Sequence, residues 1–182
     1  MNEYLNKLID LKIDVRSLTI EHWLHHELFS LIWWVWLASS IAALVVLWIY
    51  VDRKRILEIC VFGLIINVFS NFLDIGGSEY ALWAYPIQLL PNTTVMYPVD
   101  YFLLPALKML IYQRYNTWKS FLVASAVASA ILSFVMEPLV VWAGGYVLVK
   151  WEYAYSFPIY IAVAVLAKAL THLILARQRS AE

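Results

Sequence analysis

The chain has 182 residues, 63% of them hydrophobic and 14% charged, with a mean hydropathy of +0.72. About a quarter of an ordinary soluble domain is charged, so this composition excludes that class and points to a polytopic membrane protein. Thirteen Lys and Arg balance thirteen Asp and Glu, which excludes the basic footprint of a nucleic-acid binder, and the single Cys60 excludes a disulfide framework within one chain.

In chain order, residues 1–27 interleave Leu5, Leu8, Ile9, Leu11 and Ile13 with Glu3, Lys7, Asp10, Lys12, Asp14 and Arg16. That pattern predicts an amphipathic helix lying on a bilayer surface. Ser17 or Thr19 is placed to cap a second helix. A cleaved signal peptide is not expected, because the charged leader is long and acidic and the next apolar run is too long.

Residues 28–176 read as an all-α transmembrane bundle of about five spans, and 177–182 as a cytoplasmic tail. The spans are 28–51, 56–75, a shorter and less regular 95–113, 119–143 and 153–176; about 20 apolar residues cross the hydrocarbon. Trp33, Trp34 and Trp36 near one end of the first span, with Trp48 and Tyr50 near the other, match interfacial aromatic belts. Arg53, Lys54 and Arg55, then Arg114 and Lys119, then Arg177 and Arg179 fall in alternate connections. The 76–95 connection carries no Lys or Arg. The bias predicts an outer N-terminus and a cytoplasmic C-terminus. Lys7, Lys12 and Arg16 in the leader run against it.

Polar chemistry is concentrated from Asn67 to Asp100, where Asp74, Glu79 and Asp100 sit among Tyr80, Trp83, Tyr85, Tyr97 and three prolines. Gly63, Asn67, Ser70, Asn71 and Asp74 recur at helical spacing on one face of the second span. Asn67 and Asn71 read equally as helix–helix hydrogen bonds or as part of a site. Pro98 and Pro105 bracket Asp100 and predict a bent helix start. Glu137, just before Pro138, has the most apolar flanks of any acid, and burial without a partner would keep it protonated. Lys108, and the Lys168–His172 pair, are expected to snorkel towards the cytoplasmic side. The small residues of the fourth span, Ala124, Ser125, Ala128, Ser129 and Ser133, are expected to permit close packing.

Asp74, Asp100 and Glu137 are therefore the candidate catalytic acids. They are expected to converge in one pocket in the outer half of the bundle. Asn67, Asn71, Trp83, Tyr85, Tyr97, Trp142 and Tyr155 are the candidate substrate-binding residues. His22, His25 and His26 have the H-x-x-H-H spacing of a weak metal candidate. Four histidines in all are too few for a membrane di-iron centre, and interfacial histidines explain the motif as well. No cofactor is expected, and no phosphate loop or nucleophile elbow is present.

Asp52-Arg-Lys-Arg55, Leu110-Ile-Tyr-Gln113 with Trp118-Lys119, Met136-Glu-Pro-Leu139 and Tyr155-Ser-Phe-Pro-Ile-Tyr160 resemble an uncharacterised family of small multi-span membrane proteins of spore-forming Gram-positive bacteria. The resemblance implies a bacterial plasma membrane and the same span count, and it carries no catalytic residue. Small integral-membrane isoprenoid cyclases are similar only in pairing helix-end acids with aromatics. Three functions remain open: an enzyme on a lipid or isoprenoid with acid chemistry; a lipid-binding or sensory subunit with a membrane partner or as a homo-oligomer; and, least favoured, a transporter.

Overall fold

The structure is a computed structural model that describes residues 2–91 and 94–180. It is almost entirely helical. Helix α1 spans Glu3–His22 and continues through a π turn at Trp23–Glu27. Ser17 and Thr19 do not start a new helix: their hydroxyls donate back to the carbonyls of Ile13 and Val15 at 3.0 and 2.8 Å, inside an unbroken α1. The break comes later, at Phe29, whose φ of +62° turns the chain. Ser30 then caps α2 (Leu31–Tyr50), its hydroxyl accepting from the Trp33 amide.

Asp52 caps a 3₁₀ turn at Arg53–Arg55, which leads into α3 (Ile56–Glu79). A π turn at Pro98–Leu103 opens α4 (Leu104–Arg114). α5 (Trp118–Ile131), capped by Thr117, passes through a π turn at Leu132–Met136 into α6 (Glu137–Trp142). α7 (Tyr153–Arg179) closes the bundle, so residues 177–179 continue the helix instead of forming a separate tail, and 181–182 lie outside the described residues. Two short strands, β1 (Trp83–Ala84) and β2 (Val147–Leu148), pair antiparallel with Trp83 opposite Leu148.

Among the described residues four stretches are long and apolar enough to cross a membrane: Leu31–Tyr50, Arg53–Glu79, Trp118–Trp142 and Tyr153–Gln178. The remaining sequence-predicted span is the irregular one. Its π turn arises where Pro105 has no amide to offer the Tyr101 carbonyl; the Leu104 amide reaches the Val99 carbonyl instead, and the helix widens around the proline.

α3 lies centrally, against α4 and α7; α5 packs on α7, and α2 packs on α4 and its π turn. Phe62 is the hub of the core. Its ring stacks on Tyr112 at 4.3 Å and meets Phe121 edge-on at 6.1 Å. Between α3 and α7 the chain uses Val163, Ala164 and Ala167, all buried. Helices surrounded by apolar solvent gain nothing from hiding apolar area, so close packing of small residues and hydrogen bonds must hold them together.

Both predicted snorkelling lysines are buried. Lys108 donates to Ser129 Oγ at 3.1 Å. Lys168 donates to the Tyr115 and Asn116 carbonyls at 3.2 and 3.0 Å, with its ammonium 4.3 Å from the centre of the Phe121 ring. The Lys168 charge closes the C-terminal end of α4, where carbonyls lack helical partners, and the ring face adds cation–π attraction. His172 is exposed and sets its ring 5.6 Å from that of Trp118.

Gly63 faces α4 without a side chain, and a Cβ there would overlap the Met109 side chain. Gly63→Leu is expected to cost about 1–3 kcal/mol through overpacking. Gly76→Ala, with open space at its Cβ, is expected to be neutral or stabilising by up to about 1 kcal/mol. Thermal unfolding of both variants in detergent checks this contrast.

Candidate functional site

The three candidate acids come together at one end of the bundle. Asp74 sits in the penultimate turn of α3, Asp100 in the π turn before α4, and Glu137 at the first position of α6, directly after a π turn. They are 6%, 7% and 9% exposed. Two of the three thus lie in or beside widened turns followed by proline, at Pro105 and Pro138, where the ordinary hydrogen-bond ladder is interrupted.

Asp74 is the most heavily bonded. Its Oδ1 accepts from Trp83 Nε1 at 2.9 Å and from the Tyr85 hydroxyl, and its Oδ2 accepts from the Met96 amide at 2.8 Å. All three donors belong to the long connection between α3 and α4. The carboxylate therefore folds that connection back over the helix end. Trp83 also needs Gly77: the indole occupies the space a Cβ would take. Ala81, with φ +50°, turns the chain out of α3 so that Trp83 can return.

Asp100 lies within electrostatic reach of Asp74, and its Oδ2 is buried with no hydrogen-bond partner among the described residues. Glu137 has two donors: the Tyr160 hydroxyl at 2.6 Å to Oε1 and the Ser156 hydroxyl at 3.0 Å to Oε2. Ser156 in turn accepts from Trp151 Nε1 at 3.0 Å, and the Trp151 ring meets Trp83 at 4.9 Å.

Tyrosines join the two halves of the cluster. Tyr85 stacks on Tyr146 with centroids 5.4 Å apart. Burial, then the Asp74 and Asp100 carboxyls, push the Tyr85 hydroxyl far above its ordinary range, so it remains a donor. Burial, then Glu137 and Asp74, do the same for Tyr146. Tyr146 thus stands within electrostatic reach of all three acids, and among the described residues no Lys or Arg forms an ion pair with any of them.

The other candidates divide. Asn67 donates to the Asp100 carbonyl at 2.9 Å, and Asn71 to the Asn67 carbonyl at 2.8 Å. The polar face of α3 therefore supports the backbone of the Asp100 turn, while Asn71 Oδ1 is buried without a donor among the described residues. Trp83 and Tyr85 are in the cluster. Tyr97 sets its ring 5.3 Å from Tyr101, beside the cluster. Trp142 is not a wall of it: the side chain is 85% exposed, because α6 turns that position outward. Tyr155 is half exposed and touches the site only through Trp151, at 5.4 Å.

Sequence reasoning passed over Glu27, Tyr146, Ser156 and Tyr160. Glu27 is buried at the end of the π turn after α1. Its Oε1 lies 2.9 Å from His22 Nδ1, and its Oε2 accepts from the Gln88 amide at 2.6 Å. Trp23 and Trp33 donate to the Gln88 and Leu89 carbonyls at 3.1 and 3.0 Å, and Arg16 reaches the Pro91 carbonyl. The N-terminal segment thus grips the outer side of the same connection that Asp74 holds from within. His22 is committed to Glu27, with the His26 ring 5.1 Å away, and among the described residues no group of three or more His, Cys, Asp and Glu side chains is placed to hold a metal.

No protein-family model, curated protein or solved structure matches the chain.

Glu27→Ala leaves the Gln88 amide buried without its acceptor, at a cost of about 1–3 kcal/mol. Limited proteolysis is expected to cut the 82–91 connection faster in this variant, whereas Glu79→Ala, at an exposed position, leaves the rate unchanged. The triple change of His22, His25 and His26 to Ala is expected to leave the metal content of purified protein unaltered by elemental analysis. Loss of a stoichiometric metal in that variant would contradict the His22–Glu27 reading.

Proposed function

We propose that the chain is a five-span protein of a bacterial plasma membrane, with its N-terminus outside and the acid cluster at the outer end. We propose further that the cluster performs acid chemistry on a lipid or isoprenoid. The observation that carries this reading is the convergence of three buried carboxyls with tyrosines and tryptophans and without a bonded cation. A buried, uncompensated carboxyl pair is a proton donor matched to an apolar substrate, and the adjoining aromatic faces stabilise the cationic character that protonation of a double bond creates.

The fifth span in this reading is Pro98–Arg114. Its seventeen helical residues extend about 25 Å at ~1.5 Å each, near the thickness of the hydrocarbon. Pro98, Asp100, Leu104, Pro105, Ala106, Lys108, Met109 and Tyr112 are buried against other helices, so this segment needs little apolar surface of its own. α1 exposes Leu5, Leu8 and Ile9 and suits a seat at the membrane surface.

Within the cluster the acids have different tasks. Asp74 positions the connection, with both oxygens engaged. Asp100, whose Oδ2 is free of donors, is the group poised to give a proton. A second reading, a lipid-binding or sensory subunit without chemistry, is favoured by the full engagement of Asp74 and Glu137, which is also what structural carboxylates require.

Asp100→Asn separates the two readings. The change removes the carboxyl pair and keeps its shape, so melting in detergent is expected to stay within a few degrees of wild type. Untargeted lipid analysis of expressing cells is expected to show altered polyprenyl or glycerolipid species with wild type and none with Asp100→Asn. Identical lipid profiles for the two would favour the non-enzymatic reading. Orientation has its own test. A cysteine placed at position 80 should react with impermeant thiol reagents on intact cells, and one at position 115 should not.

A further inference from the structure

Far from the acid cluster, the bundle surface carries a cleft of about 450 Å³ between α2 and α3. Leu44, Trp48 and Val51 form one side, Ile56 and Cys60 the other, and Met109 of α4 lies at its base. Along α3, Ile56 and Asp74 are about 27 Å apart at ~1.5 Å per residue, so the cleft and the acids occupy opposite ends. The volume falls in the ~300–1,000 Å³ range of small-ligand sites, and the lining offers hydrocarbon almost exclusively.

The rim differs in chemistry. Val51 and Ile56 flank Asp52-Arg53-Lys54-Arg55. Arg55 is spent on Glu58, at 2.7 Å. Arg53 and Lys54 are exposed and make no ion pair among the described residues. Asp52 offsets one of these two charges and uses its carboxylate on the Lys54 amide at 3.0 Å, which leaves the rim net positive. The rim is also held in place. Gln113 donates to the Tyr50 carbonyl at 2.7 Å and accepts from the Asp52 amide at 2.9 Å, tying the turn to α4. Trp48 and Tyr50 are 70% and 66% exposed, as aromatic side chains at the headgroup level of a bilayer are.

We propose that this cleft is a binding site for an anionic phospholipid, with one acyl chain along the α2–α3 cleft and the phosphate on Arg53 and Lys54. Charge complementarity selects the headgroup: a net-positive rim attracts an anionic lipid over a zwitterionic one by about fivefold per basic residue. The apolar cleft supplies the seat for the chain. The site is independent of the acid chemistry proposed above.

Cys60 reports on it directly, being the only cysteine and a lining residue. Full-length protein in maltoside micelles is titrated with phosphatidylglycerol or phosphatidylcholine, and alkylation of Cys60 by N-ethylmaleimide is timed. Phosphatidylglycerol is expected to slow the reaction several-fold at a mole fraction where phosphatidylcholine does not. Arg53→Gln with Lys54→Gln is expected to abolish that difference. Leu44→Trp, which fills the cleft from a half-exposed position and keeps both cations, is expected to lose the phosphatidylglycerol retained in native mass spectrometry. Equal protection by the two lipids overturns the proposal. So does undiminished phosphatidylglycerol binding in either the double Gln variant or Leu44→Trp.

Discussion

A buried carboxylate must find donors, and Asp74 finds all of its donors in one connecting segment. Trp83, Tyr85 and the Met96 amide converge on its two oxygens. That requirement explains much of the end of the molecule where these acids lie. It draws the connection inward, seats the Trp83 indole on Gly77, lays Tyr85 against Tyr146, and sets β1 where β2 can pair with it. Glu27 repeats the logic from the outside, accepting from the Gln88 amide. Two acids from different helices therefore fix a segment that has almost no regular structure of its own. Each buried charge is stabilised by donors whose own burial would otherwise be costly.

Charge is segregated along the bundle. Asp74, Asp100 and Glu137 gather at one end, with tyrosine, tryptophan and serine around them, while Asp52 and Glu58 lie among the basic residues of the other. Lys108 lies deeper, on Ser129, and Lys168 caps carbonyls at the opposite end, near the Arg55–Glu58 pair and the Tyr112 hydroxyl that donates to Glu58 at 2.6 Å. Strong ion pairing at the acid end would neutralise the carboxyls and anchor them. Among the described residues, the hydrogen bonds to the Asp74 and Glu137 side chains come from neutral donors. Arg53, Lys54 and Arg55 lie around the other end of the helices.

The four long apolar helices were legible because each is a mostly uncharged run closed by a polar stop or loop, such as Asp52-Arg-Lys-Arg55. Asp74, Asp100 and Glu137 stood out in the sequence as acids at helix ends, the latter two close to prolines, and all three are buried. The errors have physical causes. Lys108 and Lys168 looked like surface lysines because sequence shows neither Ser129 twenty-one residues away nor the carbonyls at the end of α4. Trp142 looked like a pocket wall because periodicity does not reveal how a π turn rotates the helix after it. Ser17 and Thr19 looked like caps, yet their hydroxyls bond inside α1. Glu27 was hidden among histidines whose metal-like spacing drew attention away from it. Tyr146, Ser156 and Tyr160 joined the site only through tertiary packing, and nothing local distinguishes them from other interfacial aromatic and hydroxyl residues.

The central claim is that the Asp74 carboxylate organises the connection between α3 and α4. Amide hydrogen exchange of Asp74→Ala against wild type, read across residues 82–91 and at Met96, tests it most directly. The account predicts that the variant loses protection throughout this connection and at Met96, while the amides of α5 and of α7 beyond Val163 keep theirs. Unchanged exchange at Met96 and across 82–91 would contradict it.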